Sequence, residues 1–291
     1  MRLPKSLLMI LVFALFSLGG CSRVTLGYNY ADWLLRYRIA DYTSFTAAQK
    51  DEIHLAVDDY MRWHRRAALP EYTALLQDIH TVVNRDGPLT PGDVALVRDE
   101  SNRLYQLTVA PLIPPAARLL GTLDSRQIAG LADNLAERNR KQKAELLQGD
   151  EQELLVMRAK RHVELVERLV GSLSEEQEEK ITALSLSIPF ATRQYIEQRE
   201  AKQARLIALL NGRAGEAEIA ALFRQWMSAP EISRTPQQQQ AIAAYEGAMN
   251  EMTAQIFALL TPRQKQHLSK KLLSYIADFQ QLHLAAAPLP D

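Results

Sequence analysis

Apolar side chains recur along most of this chain at the three- and four-residue spacing of an α-helix. Two runs show it clearly, with apolar positions at Ile53, Ala56, Val57, Tyr60, Trp63 and Ala67 in the first and at Leu155, Ala159, Val166, Leu169 and Leu173 in the second. The strict alternation of apolar and polar positions that is typical of a half-buried strand is rare. The pattern therefore predicts an all-α protein, an irregular bundle of about nine or ten helices joined by short loops.

Helix starts are marked by a repeated local motif, in which Ser, Thr or Asp is followed three positions later by Gln or Asp. In such a capping box the first side chain accepts a hydrogen bond from a free backbone N–H, and the later side chain binds back to the cap residue. The six predicted boxes are Thr46 with Gln49, Thr90 with Asp93, Asp124 with Gln127, Ser174 with Gln177, Thr235 with Gln238, and Thr261 with Gln264.

Proline and glycine predict where these helices end or break. Helix ends are expected at Pro70, Gly87, Gly149 and Gly212, and Pro189 is expected to kink or split a longer helix. Residues 111–115 and 212–235 are predicted to be irregular. They are also the two places where the helical domain, residues 28–291, is most readily subdivided.

Residues 1–20 have the features of a signal peptide that is removed after export. Arg2 and Lys5 are basic, and the apolar stretch from Ser6 to Leu18 is too short to span a bilayer as a helix. It ends in Leu18-Gly19-Gly20-Cys21, which resembles the lipobox of bacterial lipoproteins. The resemblance implies a diacylglycerol on Cys21, the only cysteine of the chain, so an internal disulfide bond is excluded.

The predicted anchor determines where the protein works. A lipid on Cys21 makes the membrane a partner, and residues 21–27 form a short tether that holds the domain close to it. The residue after the cysteine is Ser22, and in Gram-negative lipoprotein sorting a residue other than aspartate implies the outer membrane, facing the periplasm. The inner membrane is the alternative location.

Charge and motif content limit the classes of function. The chain has 34 basic and 34 acidic residues, and loss of residues 1–20 removes only Arg2 and Lys5. A nearly neutral domain is not expected to bind nucleic acid. The sequence has no glycine-rich phosphate loop, no Gly-x-Ser-x-Gly elbow and no paired-cysteine metal motif. We therefore expect a protein that is not an enzyme and has no cofactor and no bound metal.

Two groups of residues resemble metal ligands only superficially. Asp51, His54 and Asp58 share one helix face and could bind a metal, but solvated polar residues on a helix give the same spacing. His162 lies on the apolar face of the second helical run. A histidine at the boundary of the core, with its hydrogen bonds satisfied, is the favoured interpretation there.

Two clusters near the N-terminus are candidates for interaction or anion binding. Tyr30, Trp33, Leu34 and Tyr37 form an aromatic stripe, which predicts either docking into the bundle, the favoured interpretation, or an interfacial helix on the membrane. The segment Trp63-His64-Arg65-Arg66 is predicted to complement the dipole at a helix end, and an anion or phosphate site is the alternative. The candidate site residues are Trp33, Arg36, Arg38, Trp63, His64, Arg65 and Arg66.

Several segments resemble a family of proteobacterial lipoproteins that is known only as a domain of unknown function. They are Tyr28-Asn29-x-x-Asp32-Trp33-Leu34-Leu35-Arg36, Trp63-His64-Arg65-Arg66-x-x-Leu69-Pro70, Arg199-x-x-x-Gln203-Ala204-Arg205-Leu206 and Leu260-Thr261-Pro262-x-Gln264. This resemblance implies a location but no activity. Leu260-Thr261-x-x-Gln264 and Leu173-Ser174-x-x-Gln177 also resemble the Leu-Thr-x-x-Gln motif of Spy/CpxP-type periplasmic chaperones, although any capping box gives a similar pattern.

These observations predict a membrane-anchored envelope lipoprotein with a structural or protein-interaction role and an envelope protein as its partner. Two alternatives remain. One is a chaperone-like or stress-linked binder of other proteins, which requires an exposed apolar surface. The other is lipid or lipopolysaccharide handling, which requires an apolar cavity.

Overall fold

The computed structural model describes residues 23–229 and 234–285, and within them the chain forms helices and no strand. The predicted signal peptide and Cys21 lie outside these residues. The helices are α1 Arg23–Asn29, α2 Ala31–Ala40, α3 Ala47–Trp63, α4 Leu69–Asn84, α5 Pro91–Val109, α6 Ile113–Gly121, α7 Ser125–Leu147, α8 Glu151–Val170, α9 Glu175–Leu186, α10 Thr192–Asn211, α11 Glu216–Ser228, α12 Pro236–Leu259 and α13 Pro262–Leu284. The all-α prediction is confirmed.

Some of these helices run on into one another. A π-helical turn, His64–Ala68, joins α3 to α4, and a 3₁₀ turn, Ala110–Leu112, joins α5 to α6. The described residues therefore form eleven continuous helical stretches, close to the predicted number. None of the helices in these described residues has both the length and the apolar character needed to cross a membrane.

All six predicted capping boxes are present, and they open α3, α5, α7, α9, α12 and α13. In each box the cap side chain accepts a hydrogen bond from the backbone N–H of the residue three positions later. The side chain of that later residue accepts a hydrogen bond from the backbone N–H of the cap residue. This local chemistry satisfies backbone donors that the first turn of a helix otherwise leaves unpaired.

The prediction that a helix ends at Pro70 is wrong. Proline lacks an N–H, and its ring collides with the carbonyl four residues earlier in an α-helix. The wider π turn accommodates both problems, and the Leu69 N–H donates to the carbonyl of His64, five residues back. Because the turn contains one extra residue, Ala68 and Leu69 are buried while Ala67, which the unbroken pattern places on the apolar face, is exposed.

The two segments predicted to be irregular are mostly helical where the structure describes them, that is, outside residues 230–233. Residues 212–235 contain α11, because Gly215 and Glu218 start a new helix only a few residues after Gly212 ends α10. In residues 111–115 the irregularity is confined to the 3₁₀ turn. Pro189 does split a helix as predicted, since α9 ends at Leu186 and α10 begins at Thr192.

The helices pack around two apolar centres. The first core joins α6, α7, α10 and α11 through buried residues that include Ile113, Ile128 and Ile219. The second core joins α8, α9 and α12, where Ile181 and Phe257 are buried, with α4 and α13 packed side by side at its edge. The continuous stretches α3–α4 and α5–α6 extend from one core to the other, so the cores share their longest helices.

Each core contains a pair of glutamines that come from two capping boxes. In the second core the side-chain amides of Gln177 and Gln264 donate to one another, both at 2.9 Å. In the first core Gln49 and Gln127 do the same, at 3.3 and 2.7 Å. All four glutamine side chains are buried. Buried amides are stable only when their donors and acceptors are paired, and here they pair with one another.

The same glutamines also bind the backbone at one fixed offset. Each Nε2 donates to the carbonyl that lies two residues before the partner's cap residue. The acceptors are Thr122 for Gln49, Ser44 for Gln127, Leu259 for Gln177 and Ser172 for Gln264. We call these two arrangements the glutamine pairs. They fix the start of one helix directly against the start of another, and the two cores use the same construction.

Candidate functional site

The N-terminal cluster forms where α1 meets the π turn. The Tyr28 hydroxyl and His64 Nδ1 share a hydrogen bond of 2.7 Å. The rings of Tyr60 and Tyr72 lie 5.7 and 5.8 Å from the His64 ring between centroids, and the Trp63 ring lies at 6.3 Å. The π turn places His64 among these aromatic side chains, and such turns occur frequently at functional sites.

Burial favours the uncharged forms of His64, Tyr60 and Tyr28 in this cluster. Loss of solvation lowers the pKa of His64 and raises the pKa of Tyr60 to about 12. It also raises the pKa of Tyr28, an effect that the charge of Arg65 partly opposes. A neutral imidazole and a protonated phenol form a good hydrogen bond but not an activated nucleophile. The cluster is therefore better suited to holding α1 in place than to catalysis.

Two arginines predicted as anion-binding candidates are already engaged. Arg65 donates to Asn29 Oδ1 at 3.0 Å, and its guanidinium carbon lies 5.1 Å from the Tyr28 ring centroid. Arg36 forms ion pairs with Asp58 and, at 3.5 Å, with Asp32. These contacts fasten α1 to the π turn and α2 to α3. A phosphate at this position would have to compete with them.

The helix-end interpretation of Trp63-His64-Arg65-Arg66 is wrong, because the backbone continues through the π turn into α4. Trp63 and Arg66 are half-buried there, and Arg38 is exposed on α2. Asp58 pairs with Arg36, and Arg62 pairs with Asp59.

The aromatic stripe of α2 does not dock into the bundle, so the favoured interpretation of it is wrong. Tyr30, Trp33, Leu34 and Tyr37 are 62, 60, 47 and 54% exposed. Trp33 and Tyr37 stack on one another with ring centroids 5.6 Å apart. A different face of α2 makes the contact with the bundle, and it carries the half-buried residues Asp32, Leu35, Arg36 and Ile39.

The residues considered as possible metal ligands are not arranged as a metal site in the described part of the chain. In residues 23–229 and 234–285 no three His, Cys, Asp or Glu side chains come together as a metal site, and Asp51 and His54 are exposed. His162 Nδ1 lies 2.8 Å from the hydroxyl of the fully buried Ser185. Burial and the nearby charge of Arg158 lower the pKa of His162. The interpretation of His162 as a satisfied boundary histidine is confirmed.

Two cavities with apolar walls open beside the cores. The first, of about 380 Å³, lies between α2, α3, α6, α7 and α10, and the second, of about 330 Å³, lies between α4, α5, α8, α12 and α13. The wall of the first includes Ile39, Phe45, Ile53, Ala116, Leu119 and Leu206, with Glu52 and Gln203 among the few polar residues. His162 and Asp93 are the titratable residues in the wall of the second.

Sequence patterns did not reveal the partners in the N-terminal cluster. Tyr28 and His64 are separated by 36 residues, as are Arg65 and Asn29, and helical periodicity carries no information over such a distance. His283 Nδ1, which donates to the Arg65 carbonyl at 3.0 Å, is more than 200 residues away. The only signal in the sequence was the density of aromatic and arginine residues in each segment.

The fold and these surfaces define an all-helical protein, with an aromatic cluster near its N-terminus and two apolar cavities in its described part. The chain belongs to the family of unknown function DUF6279, whose model matches residues 41–232, about two thirds of the chain. Comparisons with curated proteins and with solved structures find no match. The matched segment includes the π turn and most of the first cavity, but neither α1 nor α2.

Proposed function

We propose that this protein is a membrane-anchored lipoprotein of the bacterial envelope whose helical domain binds other proteins and catalyses no reaction. The anchor rests on Leu18-Gly19-Gly20-Cys21 and the apolar stretch before it. The proposed location is the periplasmic side of the outer membrane, because Ser22 follows the cysteine.

The observation that carries the binding role is the first cavity. It has a volume of about 380 Å³, which is within the range of small binding sites, and its wall is built almost entirely of aliphatic and aromatic side chains. Apolar groups that enter such a cavity gain free energy by leaving water. An active site would instead bring several polar groups together on one point. This geometry therefore favours apolar groups over a reacting substrate, and the apolar side chains of a protein partner are the occupants that we propose.

The glutamine pairs favour a second candidate, a chaperone-like binder. The Gln177–Gln264 pair makes Leu173-Ser174-x-x-Gln177 and Leu260-Thr261-x-x-Gln264 one spatial unit, and these are the segments that resemble the Spy/CpxP-type motif. Lipid or lipopolysaccharide handling is the third candidate, since an acyl chain is also compatible with an apolar cavity. The three candidates differ in the molecule that the cavity binds.

The anchor is tested by Cys21→Ala. Without the thiol no diacylglycerol can be attached, so the variant should lose incorporation of labelled palmitate and should no longer fractionate as a processed membrane lipoprotein. The wild-type chain should show both properties. Cys21 is the only cysteine, so loss of a disulfide bond cannot explain the result. A wild-type chain that takes up no palmitate and remains soluble would contradict the anchor.

The cavity is tested by filling it. Ala116→Phe places a ring in the first cavity, and it should weaken binding of the apolar fluorophore N-phenyl-1-naphthylamine by about tenfold, which corresponds to about 1.4 kcal/mol. Ala201→Phe, at an exposed position of α10, is the matched control and should leave binding unchanged.

Competition against the bound fluorophore distinguishes the three candidates. Displacement by an unfolded polypeptide such as reduced casein, with weak displacement by palmitate, supports a binder of unfolded proteins. Displacement by palmitate alone supports lipid handling. A fluorophore bound equally by wild type and Ala116→Phe would remove the cavity from the proposal.

A further inference from the structure

Helix α2 carries apolar side chains on two opposite faces, and only the face that also carries the ion-paired Asp32 and Arg36 contacts the bundle. At 100° per residue, the covered residues Asp32, Leu35, Arg36 and Ile39 lie about 160° around the helix from the exposed stripe. An ordinary surface helix has one apolar stripe directed at the core and a polar outer face. The outer face of α2 instead carries Tyr30, Trp33, Leu34 and Tyr37. We call these four residues the outer aromatic face.

The composition of the outer aromatic face matches a membrane–water interface. Tryptophan and tyrosine combine an apolar ring with a polar group, and they are enriched at the headgroup level of bilayers. Leu26 of the preceding helix α1 is also 52% exposed. The carboxylate of Asp32 is directed away from this face, because it pairs with Arg36 on the covered side. No acidic group of α2 therefore opposes contact with an anionic bilayer.

The position of this face in the chain identifies the bilayer as the surface that covers it. Residues 23–27 of the predicted tether belong to α1, which begins at Arg23, so only Ser22 separates Cys21 from this helix. Helix α1 has seven residues and is about 10 Å long, and α2 follows it after Tyr30. A diacylglycerol on Cys21 would hold α1 at the headgroups and α2 within one short helix length of them. This step rests on the proposed lipid anchor.

We propose that the outer aromatic face of α2 lies in the headgroup region of the membrane to which Cys21 is attached. The Tyr28–His64 hydrogen bond holds α1 on the π turn, and the Arg36–Asp58 ion pair holds α2 on α3. Contact of α2 with the bilayer then orients the whole bundle, including the first cavity, to which α2 contributes Ile39. The anchor thus fixes an orientation as well as a location.

Fluorescence quenching in proteoliposomes tests this proposal on the complete lipidated protein. Vesicles of phosphatidylethanolamine and phosphatidylglycerol with brominated acyl chains should quench the tryptophan emission, because bromine quenches only nearby indoles. Trp33→Phe should abolish most of that quenching. Trp226→Phe, which removes a half-buried tryptophan of α11, should retain it.

A second pair of variants tests the face itself. Leu34→Asp places a carboxylate on the outer aromatic face and should reduce the quenching of Trp33. Leu96→Asp, at a 70% exposed position of α5, is the matched control and should leave it unchanged.

Flotation with the vesicles separates failure of this proposal from failure of the anchor. Protein that floats with vesicles but whose Trp33 is not quenched would overturn the interfacial position of α2 and leave the anchor intact. Protein that takes up no palmitate and does not float would overturn the anchor. Cross-linking between two chains through position 37, without quenching, would assign the face to a second copy and would also overturn the proposal.

Discussion

Replacing Gln264 with alanine is expected to lower the free energy of unfolding by about 3 kcal/mol, because the change leaves several buried polar groups without partners. The Gln264 side chain donates to Gln177 and to the Ser172 carbonyl, and its Oε1 accepts from Gln177 and from the Thr261 N–H. Alanine at this position breaks the capping box, removes the donor to the Ser172 carbonyl and leaves Gln177 without its glutamine partner. Urea denaturation of the mature protein measures the effect.

The control for this prediction is another capping box of the same chain. Gln238 occupies the same position in the box of Thr235, but it has no glutamine partner and its Nε2 donates to Glu197 near the surface. Gln238→Ala should therefore lower the free energy of unfolding by only about 1 kcal/mol, the usual effect of losing a helix cap. The double variant Gln177→Ala, Gln264→Ala should lower the free energy of unfolding by less than the sum of the two single variants. Equal costs for Gln238→Ala and Gln264→Ala would show that the pairing contributes nothing.

Arg158→Met is expected to destabilise the second core by about 3 kcal/mol, because one charged side chain satisfies three carbonyls there. Its Nη2 donates to the carbonyls of Ser185 and Ile188 at 2.6 and 2.7 Å, and its Nη1 donates to that of Pro189 at 3.1 Å. These carbonyls belong to the last turn of α9 and the connection after it. Met keeps much of the side-chain volume but supplies no donor.

Two further variants separate the geometry of Arg158 from its charge. Lysine carries the charge without the planar fork of donors, so Arg158→Lys should recover less than half of the lost stability. Arg161→Met, at an exposed position of the same helix, should change the free energy of unfolding by less than about 0.5 kcal/mol. If Arg158→Met and Arg161→Met had the same free energy of unfolding, the three hydrogen bonds of Arg158 would contribute nothing to stability.

Features that depend on a few neighbouring residues were predictable from the sequence. All six capping boxes are local, and each is present because its two side chains are already within reach of the cap when the first turn forms. The all-helical class follows from the same kind of local regularity. The helix α11 was missed because Gly215 has no side chain to mark a cap, although Glu218 completes the box from the other side.

Features that depend on distant parts of the chain were not predictable. The box of Gln177 was visible in the sequence, but its pairing with Gln264, 87 residues away, was not. The same limit applies to Tyr28 and His64. The stripe of α2 was misassigned for a related reason, since spacing identifies a stripe but does not say whether a neighbouring helix covers it. Leu35 and Ile39 supplied a second stripe, and that one faces the bundle.

The π turn after α3 has a consequence for comparing members of this family. An α-helix advances by about 100° with each residue, so one added residue rotates everything beyond it by that angle. In this chain the rotation brings Ala68 and Leu69, in place of Ala67, into the interior. A relative that lacks one residue between 64 and 68 would have the same helix length to within about 1.5 Å, yet α4 would present a different side to α13. A one-residue gap at this point of an alignment therefore marks a change of helix phase and of buried residues, whereas the same gap in a loop would change neither.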